Sequence, residues 1–115
     1  AYRLSERAAG VGFDWTDIEA VMEKVKEEWE ELQQAGADND RQQVAEEFGD
    51  LLFTLVNMAR FLRVHPESAL TASTRKFEER FRRMEKIVTE KGQDVSRMPQ
   101  VELDAIWDVV KQYTK

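Results

Sequence analysis

Two short acidic stretches, Glu27-Glu28-Trp29-Glu30-Glu31 and Glu46-Glu47-Phe48-Gly49-Asp50, decide how this sequence folds. Each lies within a longer segment whose apolar residues recur every three or four positions, the period of an amphipathic α-helix. Each also places two carboxylates three residues apart beside its apolar stripe. Two such helices packed side by side bring four like charges together, an arrangement that makes physical sense if a divalent cation lies between them.

The segments that carry these stretches predict two long helices. Thr16 and Glu19 have the spacing of a capping box, which predicts that the first long helix starts at Thr16. Gly36 is a suitable residue to end it. The loop that follows contains Asp and Asn residues able to cap the next helix. That second helix is expected over residues 41–63.

The remaining segments also have helical patterns, which predicts an all-α protein. A short leading helix is expected from Tyr2 to Ala9. Pro66 is well placed in the first turn of a third long helix, which Gly92 closes. A short fourth helix is expected after Pro99, because apolar residues again recur at helical spacing there. No stretch alternates long enough to predict a β-strand.

Short loops and three strong amphipathic stripes predict an antiparallel helical bundle of four to five helices. We expect residues 1–115 to form one domain. Leu52, Phe53 and Val56 widen the apolar surface of the second long helix beyond a single stripe, and burying that surface against a second copy predicts a homodimer. The chain begins at Ala1 rather than Met, so we expect it to be a piece of a longer, two-domain protein.

Composition restricts the classes of partner. The 115 residues carry a net charge of −6, which disfavours nonspecific binding to nucleic acid or to an anionic membrane surface. The sequence has no cysteine, which excludes disulfides and thiolate metal sites and is compatible with the cytoplasmic location that we expect. The most apolar run, residues 51–61, is interrupted by polar residues and is too short to span a bilayer.

Helical phase brings the acidic residues toward one place. Glu28 and Glu31 lie about 60° and about 120° to one side of their stripe, and Glu47 and Asp50 have the same offsets on the second helix. Packing of the two stripes therefore predicts that the four carboxylates converge. Carboxylate oxygens are hard ligands, which predicts Mg²⁺, with Mn²⁺ as the alternative. A di-iron site in a helical bundle needs a Glu-x-x-His pair on each of two helices. The sole histidine, His65, lies at a helix boundary, so the sequence does not predict a di-iron site.

Acidic helix faces are common and are usually solvated, so the carboxylates alone do not define a site. Basic residues strengthen the interpretation. Lys76, Arg80 and Arg83 flank the apolar stripe of the third long helix, and Lys24 lies one turn before Glu28 on the same face. A metal site edged by cations is suited to a polyphosphate, whose oxygens bridge to the metal and to the basic groups.

Three more side chains are candidates for substrate binding, each with a plain structural alternative. Asn57 lies two turns after Asp50 on the same face, where its amide either contacts the substrate or is a satisfied buried polar group. Trp107 and Lys111 are four residues apart. They either cover a nucleotide, with the indole beside the ammonium group, or contribute to the core and the surface.

The pattern resembles the signature of the MazG family of nucleoside triphosphate pyrophosphohydrolases. Glu27, Glu28 and Glu31 form Glu-Glu-x-x-Glu, and Glu47 and Asp50 form Glu-x-x-Asp after a gap of 15 residues. Other blocks that look like the family are residues 11–15, 46–53, 76–81 and 107–111. The resemblance covers nearly the whole chain and is closest to the C-terminal catalytic domain of two-domain bacterial proteins.

The resemblance implies a dimeric, Mg²⁺-dependent enzyme with the all-α fold of that family. It implies hydrolysis between the α- and β-phosphates of a nucleoside triphosphate, which gives the monophosphate and pyrophosphate. The metal ligands carried over by position are Glu28, Glu31, Glu47 and Asp50. The residues carried over to the phosphates are Lys24, Lys76 and Arg80, and those carried over to the nucleotide are Trp107 and Lys111.

For the reaction itself, we expect Glu27 or Glu47 to orient a water molecule that attacks the α-phosphorus, while pyrophosphate leaves along the basic side. Two alternatives remain open. One is a sibling enzyme of the same helical superfamily, such as a dUTPase-like or phosphoribosyl-ATP pyrophosphohydrolase. The other is a non-catalytic helical dimer whose acidic face binds a basic partner.

Overall fold

A computed structural model describes residues 1–114, which form five α-helices, one 3-10 helix and no β-strand. The α-helices are α1 (Tyr2–Gly10), α2 (Ile18–Ala37), α3 (Arg41–Phe61), α4 (Pro66–Glu90) and α5 (Gln100–Tyr113). The 3-10 helix, Val95–Arg97, precedes α5. The predicted all-α class is therefore confirmed. Among the described residues, no helix is both long and apolar enough to cross a membrane.

The chain divides into two compact units, with the boundary at the start of α4. The first unit, Ala1–Pro66, contains α1, α2 and α3, and the second begins at Glu67 and contains α5 and nearly all of α4. The single domain expected over residues 1–115 stays a prediction. Every acidic residue of the predicted metal site belongs to the first unit.

The start of α2 is set by an aspartate. The Asp17 side chain accepts a hydrogen bond from the backbone N–H of Ala20 at 2.9 Å, which satisfies one of the unpaired donors of the first turn. The helix therefore begins at Ile18. The predicted start at Thr16 is wrong, because the capping oxygen comes from the next residue.

A tight connection joins α2 to α3. Gly36 does not end α2 as predicted, since the helix continues through Ala37. The left-handed turn falls instead on Asn39, with φ of 55°, a conformation that asparagine tolerates better than most residues. Asp40 then caps α3, as expected, by accepting from the N–H of Gln43 at 3.1 Å. Residues 38–40 thus connect two helices that pack against each other as a hairpin.

The other predicted helix boundaries agree closely with the structure. The leading helix α1 ends one residue later than expected, and α3 ends at Phe61, two residues before the expected end. Arg63 adopts φ of 58° in the turn that follows. Pro66 begins α4 as predicted, and Gly92, with φ of 73°, lies just beyond its end. A glycine has no Cβ to oppose that conformation.

The α2–α3 hairpin leaves much of its apolar stripe exposed in the single chain. Val21 and Ala59 are buried, but Trp29 and Phe48 are each 52% exposed and Leu52 is 49% exposed. Several buried side chains of the first unit are instead polar or charged. They are Ser5, Glu28, Glu47, Thr54 and Asn57. The hairpin therefore has a polar interior strip and an apolar outer face.

Candidate metal site

Three carboxylates meet across the α2–α3 hairpin. One carboxylate oxygen from each of Glu28, Glu47 and Asp50 lies within 4.8 Å of the other two. Glu28 comes from α2, and Glu47 and Asp50 come from successive turns of α3. The convergence predicted from helical phase is therefore present for these three residues.

Two of these carboxylates are buried with an unpaired oxygen. Glu28 is 5% exposed and Glu47 is 7% exposed, and the Oε2 atom of each has no hydrogen-bond partner among the described residues. Burying a polar oxygen without a hydrogen-bond partner costs on the order of 1–3 kcal/mol, and a charged oxygen costs more. Asp50 is exposed, so the cluster has an open side toward solvent.

The other oxygen of each buried glutamate is held by the residue four positions earlier. Lys24 Nζ lies 3.2 Å from Glu28 Oε1 on α2. Gln43 Nε2 donates a hydrogen bond of 2.5 Å to Glu47 Oε1 on α3. The hydrogen bond to Glu28 raises the pKa of Lys24, so the ammonium form is favoured. Both helices therefore fix a glutamate through its Oε1 atom and leave its Oε2 atom unpaired.

The negative charges of the three carboxylates determine which ligand the cluster can bind. Two unit charges about 4.8 Å apart repel by roughly 3 kcal/mol at an effective dielectric constant of about 20. Among the described residues, Lys24 is the one cation that forms an ion pair with any of these three carboxylates, and of the three it pairs only with Glu28. Unpaired, buried and mutually repelling carboxylate oxygens are a suitable ligand set for a hard divalent cation. The residues present thus fit the metal that the sequence predicted.

Glu31 lies at the edge of the same cluster. Contact with the Glu47 carboxylate raises the pKa of Glu31, and loss of hydration and the negative charges of Glu47 and Glu28 act in the same direction. Two ionised carboxylates have no proton to share, so this contact is repulsive unless Glu31 takes up a proton or a cation lies between them. Glu31 is exposed, and its role as a fourth metal ligand stays a prediction.

Glu27 lies beside the cluster, outside the group of three converging carboxylates. Its side chain is 58% exposed and its carboxylate lies 3.5 Å from Lys24 Nζ. Lys24 therefore contacts both Glu27 and Glu28. The predicted roles of Glu27 in orienting water and of Lys24 in binding phosphate stay predictions.

Asn57 is part of a polar network that joins α1, α3 and the loop before α2, and this network is buried at Ser5 and Asn57 but exposed at Asp14. Its Oδ1 atom accepts from Ser5 Oγ at 2.5 Å and from Arg60 Nη2 at 2.8 Å, and its Nδ2 atom donates to the Phe53 carbonyl at 3.0 Å. Arg60 also forms a two-pronged ion pair with Asp14, at 2.7 and 3.1 Å. Asn57 is therefore a buried polar group with hydrogen-bond partners, as the structural alternative predicted. Substrate binding by Asn57 stays a prediction.

The second unit contains the remaining predicted substrate residues. Lys76 and Lys111 are exposed. Arg80 donates from Nε to the Thr114 hydroxyl at 2.9 Å and from Nη2 to the Thr114 carbonyl at 3.0 Å, which ties α4 to the end of α5. The Trp107 ring lies 5.3 Å from the ring of Phe77. Phosphate binding by Lys76 and Arg80 and nucleotide binding by Trp107 and Lys111 stay predictions.

The Trp107 ring also borders a cavity between α4 and α5. Its volume is about 320 Å³, and its walls are mainly apolar, with Gln100 and Asp104 as polar groups on α5. Gln100 donates to Asp104 at 2.7 Å. The aromatic rings that line the cavity are Phe77, Phe81 and Trp107. These rings form an aromatic surface on which a planar ring can stack.

Comparison with known proteins identifies a family whose matched region contains the acidic cluster. A family model described as the MazG nucleotide pyrophosphohydrolase domain matches residues 16–84. The chain belongs to this family. That match includes every residue of the cluster and the whole of α2 and α3. The family is one of metal-dependent pyrophosphohydrolases, as the resemblance implied.

Individual relatives of this MazG family chain cover nearly all of it. It is 49% identical over 111 residues to a nucleoside triphosphate pyrophosphohydrolase/pyrophosphatase MazG from Thermotoga maritima. It is 40% identical over 114 residues to a nucleoside triphosphate pyrophosphohydrolase from Escherichia coli strain K12. These alignments include 96% and 97% of this chain but only 42% and 43% of the two relatives. The chain therefore spans less than half the length of the relatives it matches.

Two structural contributors were not predicted from the sequence. Gln43 contacts Glu47, and Arg60 connects Ser5, Asn57 and Asp14. The first could have been found, because Gln43 precedes Glu47 by the same four positions that separate Lys24 from Glu28. The second has no local signal, since Arg60 and Asp14 are 46 residues apart.

Proposed function

We propose that this chain hydrolyses nucleoside triphosphates to nucleoside monophosphates and pyrophosphate, with Mg²⁺ held by Glu28, Glu47 and Asp50. The observation that carries the proposal is the pair of buried, unpaired Oε2 atoms in a cluster of three carboxylates. A partner-binding acidic face does not require that its carboxylates be buried. Membership of the MazG family supports the same reaction.

Mg²⁺ is the proposed metal because every candidate ligand is a carboxylate oxygen. Mg²⁺ prefers such hard ligands and usually keeps several water molecules, and the exposed Asp50 leaves one side of the cluster open to them. Zn²⁺ sites in proteins usually include histidine or cysteine ligands, and this cluster offers neither. Mn²⁺ accepts the same oxygen ligands and is the expected substitute. Glu31 is proposed as the fourth ligand.

When bound, Mg²⁺ neutralises charge on the phosphate oxygens and lowers the pKa of water. Glu28, Glu47 and Asp50 would hold it at the hairpin, and Glu27 or Glu47 would orient the attacking water. Cationic side chains would stabilise the negative charge that develops on the leaving pyrophosphate. The residues proposed for the phosphates are Lys24, Lys76 and Arg80. Those proposed for the rest of the nucleotide are Asn57, Trp107 and Lys111.

We also propose that the chain forms a homodimer through the outer face of the α2–α3 hairpin. Phe48, Leu52 and Phe53 on α3 are 52%, 49% and 40% exposed, and Trp29 adds 52% exposure on α2. Contiguous exposed apolar side chains of this size are typical of protein–protein interfaces. Light scattering coupled to size exclusion should give the mass of two chains, and Leu52→Glu should shift it toward one.

The activity is tested by measuring pyrophosphate release across a panel of nucleoside triphosphates, with Mg²⁺ and with EDTA. We expect release only with Mg²⁺. Asp50→Asn should reduce the rate by at least about a hundredfold, since one ligand of the charge-neutralising ion is lost. Glu30→Gln is the matched control, because Glu30 is exposed and lies outside the cluster. Wild-type rates in Asp50→Asn, in a protein that remains folded, would refute the proposed site.

A further inference from the structure

We propose that Gln43 is a positioning residue for Glu47: it binds Glu47 Oε1 and thereby fixes Oε2 as the oxygen available to the metal. The inference rests on the proposed metal site and adds to it a residue that sets ligand orientation. Its basis is the 2.5 Å hydrogen bond from Gln43 Nε2 to Oε1, together with the unpaired, buried Oε2 of the same carboxylate.

Gln43 is well anchored for this role. It lies in the first turn of α3, and its backbone N–H is bound by the capping carboxylate of Asp40 at 3.1 Å. Its side chain then reaches along the helix to the residue four positions later, a separation that places two side chains on one face. The backbone and the side chain of Gln43 therefore connect the helix cap to Glu47.

Without a hydrogen-bond donor on Oε1, electrostatic repulsion would favour rotation of the Glu47 carboxylate away from the cluster. Its neighbours in the cluster, Glu28, Glu31 and Asp50, are all acidic and repel it. Rotation about the side-chain torsions would take the charge toward water and away from the cluster. A hydrogen bond to a charged acceptor contributes on the order of 1.5–3 kcal/mol, which is enough to oppose that rotation.

The amide also holds Glu47 without neutralising it. On α2 the equivalent position is filled by Lys24, whose ammonium group pairs with Glu28. Gln43 is neutral, so it places no positive charge beside the Glu47 carboxylate that would compete with a cation. The three clustered carboxylates and the ammonium group of Lys24 sum to a charge of −2, and the exposed carboxylates of Glu27 and Glu31 beside them add to that negative charge, which matches a divalent ion. A second lysine at position 43 would lower that match while keeping a donor.

The test is a calorimetric titration of the folded protein with Mg²⁺ alone, without nucleotide, for wild type and three variants. Gln43→Met keeps the length of the side chain but removes the donor. Gln43→Lys keeps a donor and adds a positive charge. Gln42→Met is the matched control, because Gln42 is the exposed neighbour on the same turn and makes no side-chain hydrogen bond among the described residues. Circular dichroism verifies that each variant keeps its helices.

We expect Gln43→Met to weaken Mg²⁺ binding roughly tenfold, the lower end of the effect of removing a group that orients a metal ligand. Gln42→Met should bind as wild type does. Gln43→Lys should fall between wild type and Gln43→Met, because a restored donor outweighs the added charge. If charge alone mattered, the lysine variant would bind Mg²⁺ more weakly than the methionine variant, and that order would overturn the inference.

The Mg²⁺ titrations distinguish failure of the Gln43 role from failure of the metal site. Wild-type affinity in Gln43→Met would overturn the role of Gln43 and leave the metal site intact. Absence of Mg²⁺ binding by the wild-type protein would overturn the proposed metal site, and with it the role of Gln43. Expected results at both levels would show that a neutral amide on α3 orients the ligand that a lysine orients on α2.

Discussion

Glu28 and Glu47 face each other across the α2–α3 hairpin, and each is held through Oε1 while its Oε2 atom is buried without a partner. This relationship makes the metal-free hairpin electrostatically unfavourable at one point. A cation at that point relieves the repulsion, so metal binding and stability of the first unit should be linked.

Mg²⁺ should raise the thermal stability of the protein. A ligand present at about 100 times its dissociation constant stabilises the folded state by about 2.7 kcal/mol. For a chain of this size, that corresponds to an increase in Tm on the order of 10 °C. Differential scanning calorimetry with MgCl₂ and with NaCl of equal ionic strength measures the difference. An identical Tm in the two salts would contradict the linkage.

Glu47→Gln should separate stability from metal binding. In EDTA, removing one buried like charge should leave the free energy of unfolding unchanged or raise it by about 1–2 kcal/mol, since repulsion with Glu28 and Asp50 is lost. With Mg²⁺, the variant should gain little further stability. Urea unfolding in both conditions tests this, with Glu30→Gln as the control. A variant that loses stability in EDTA but keeps the wild-type response to Mg²⁺ would argue against the cluster as the metal site.

Arg60→Met should destabilise the protein without altering Mg²⁺ affinity. The change removes the partner of Asp14 and leaves the buried groups of Ser5 and Asn57 with fewer hydrogen bonds. Breaking such a network costs about 3 kcal/mol. The control is Arg82→Met, whose ion pair with Glu78 is exposed and should contribute under about 1 kcal/mol. Equal losses in the two variants, measured by urea unfolding, would show that the network contributes no special stability.

The Asp14–Arg60 pair should also contribute to acid sensitivity. The hydrogen bond from Arg60 lowers the pKa of Asp14 in the folded state below the ordinary aspartate value of about 3.9. The stabilisation is therefore fully present above about pH 4 and is lost as the pH falls through the lower, folded-state pKa. Below about pH 4, wild type should lose stability more steeply than Asp14→Asn. Unfolding free energies of both proteins between pH 5 and pH 2, the range suggested by that linkage, provide the comparison. Parallel curves would contradict the assignment.

The sequence predicted the helices and the acidic cluster because both depend on local periodicity. A residue every three or four positions defines a face, and two faces with the same angular offset place Glu28 beside Glu47 and Asp50. Boundaries were less accurate where neighbouring residues compete for one role. Asp17 capped α2 in place of Thr16, and Asn39 adopted the left-handed turn in place of Gly36.

The hydrogen-bond network around Arg60 could not be predicted from the sequence. Its members, Ser5, Asp14 and Asn57, come from three separate segments, and only tertiary packing brings their side chains together. Periodicity also leaves the burial of the apolar stripe undetermined. Periodicity shows that Trp29 and Phe48 share a face with the core, but it does not show whether the same chain or a second copy covers them.

Hydrolysis of a nucleoside triphosphate in ¹⁸O-labelled water identifies the phosphorus atom that water attacks and shows whether the reaction needs the metal. Attack of water on the α-phosphorus, supported by Mg²⁺ at Glu28, Glu47 and Asp50, predicts labelled nucleoside monophosphate and unlabelled pyrophosphate, with no products in EDTA. Mass spectrometry of the products distinguishes the outcomes. Label in the pyrophosphate, release of a nucleoside diphosphate, or unchanged turnover without a divalent metal would rule out the proposed reaction.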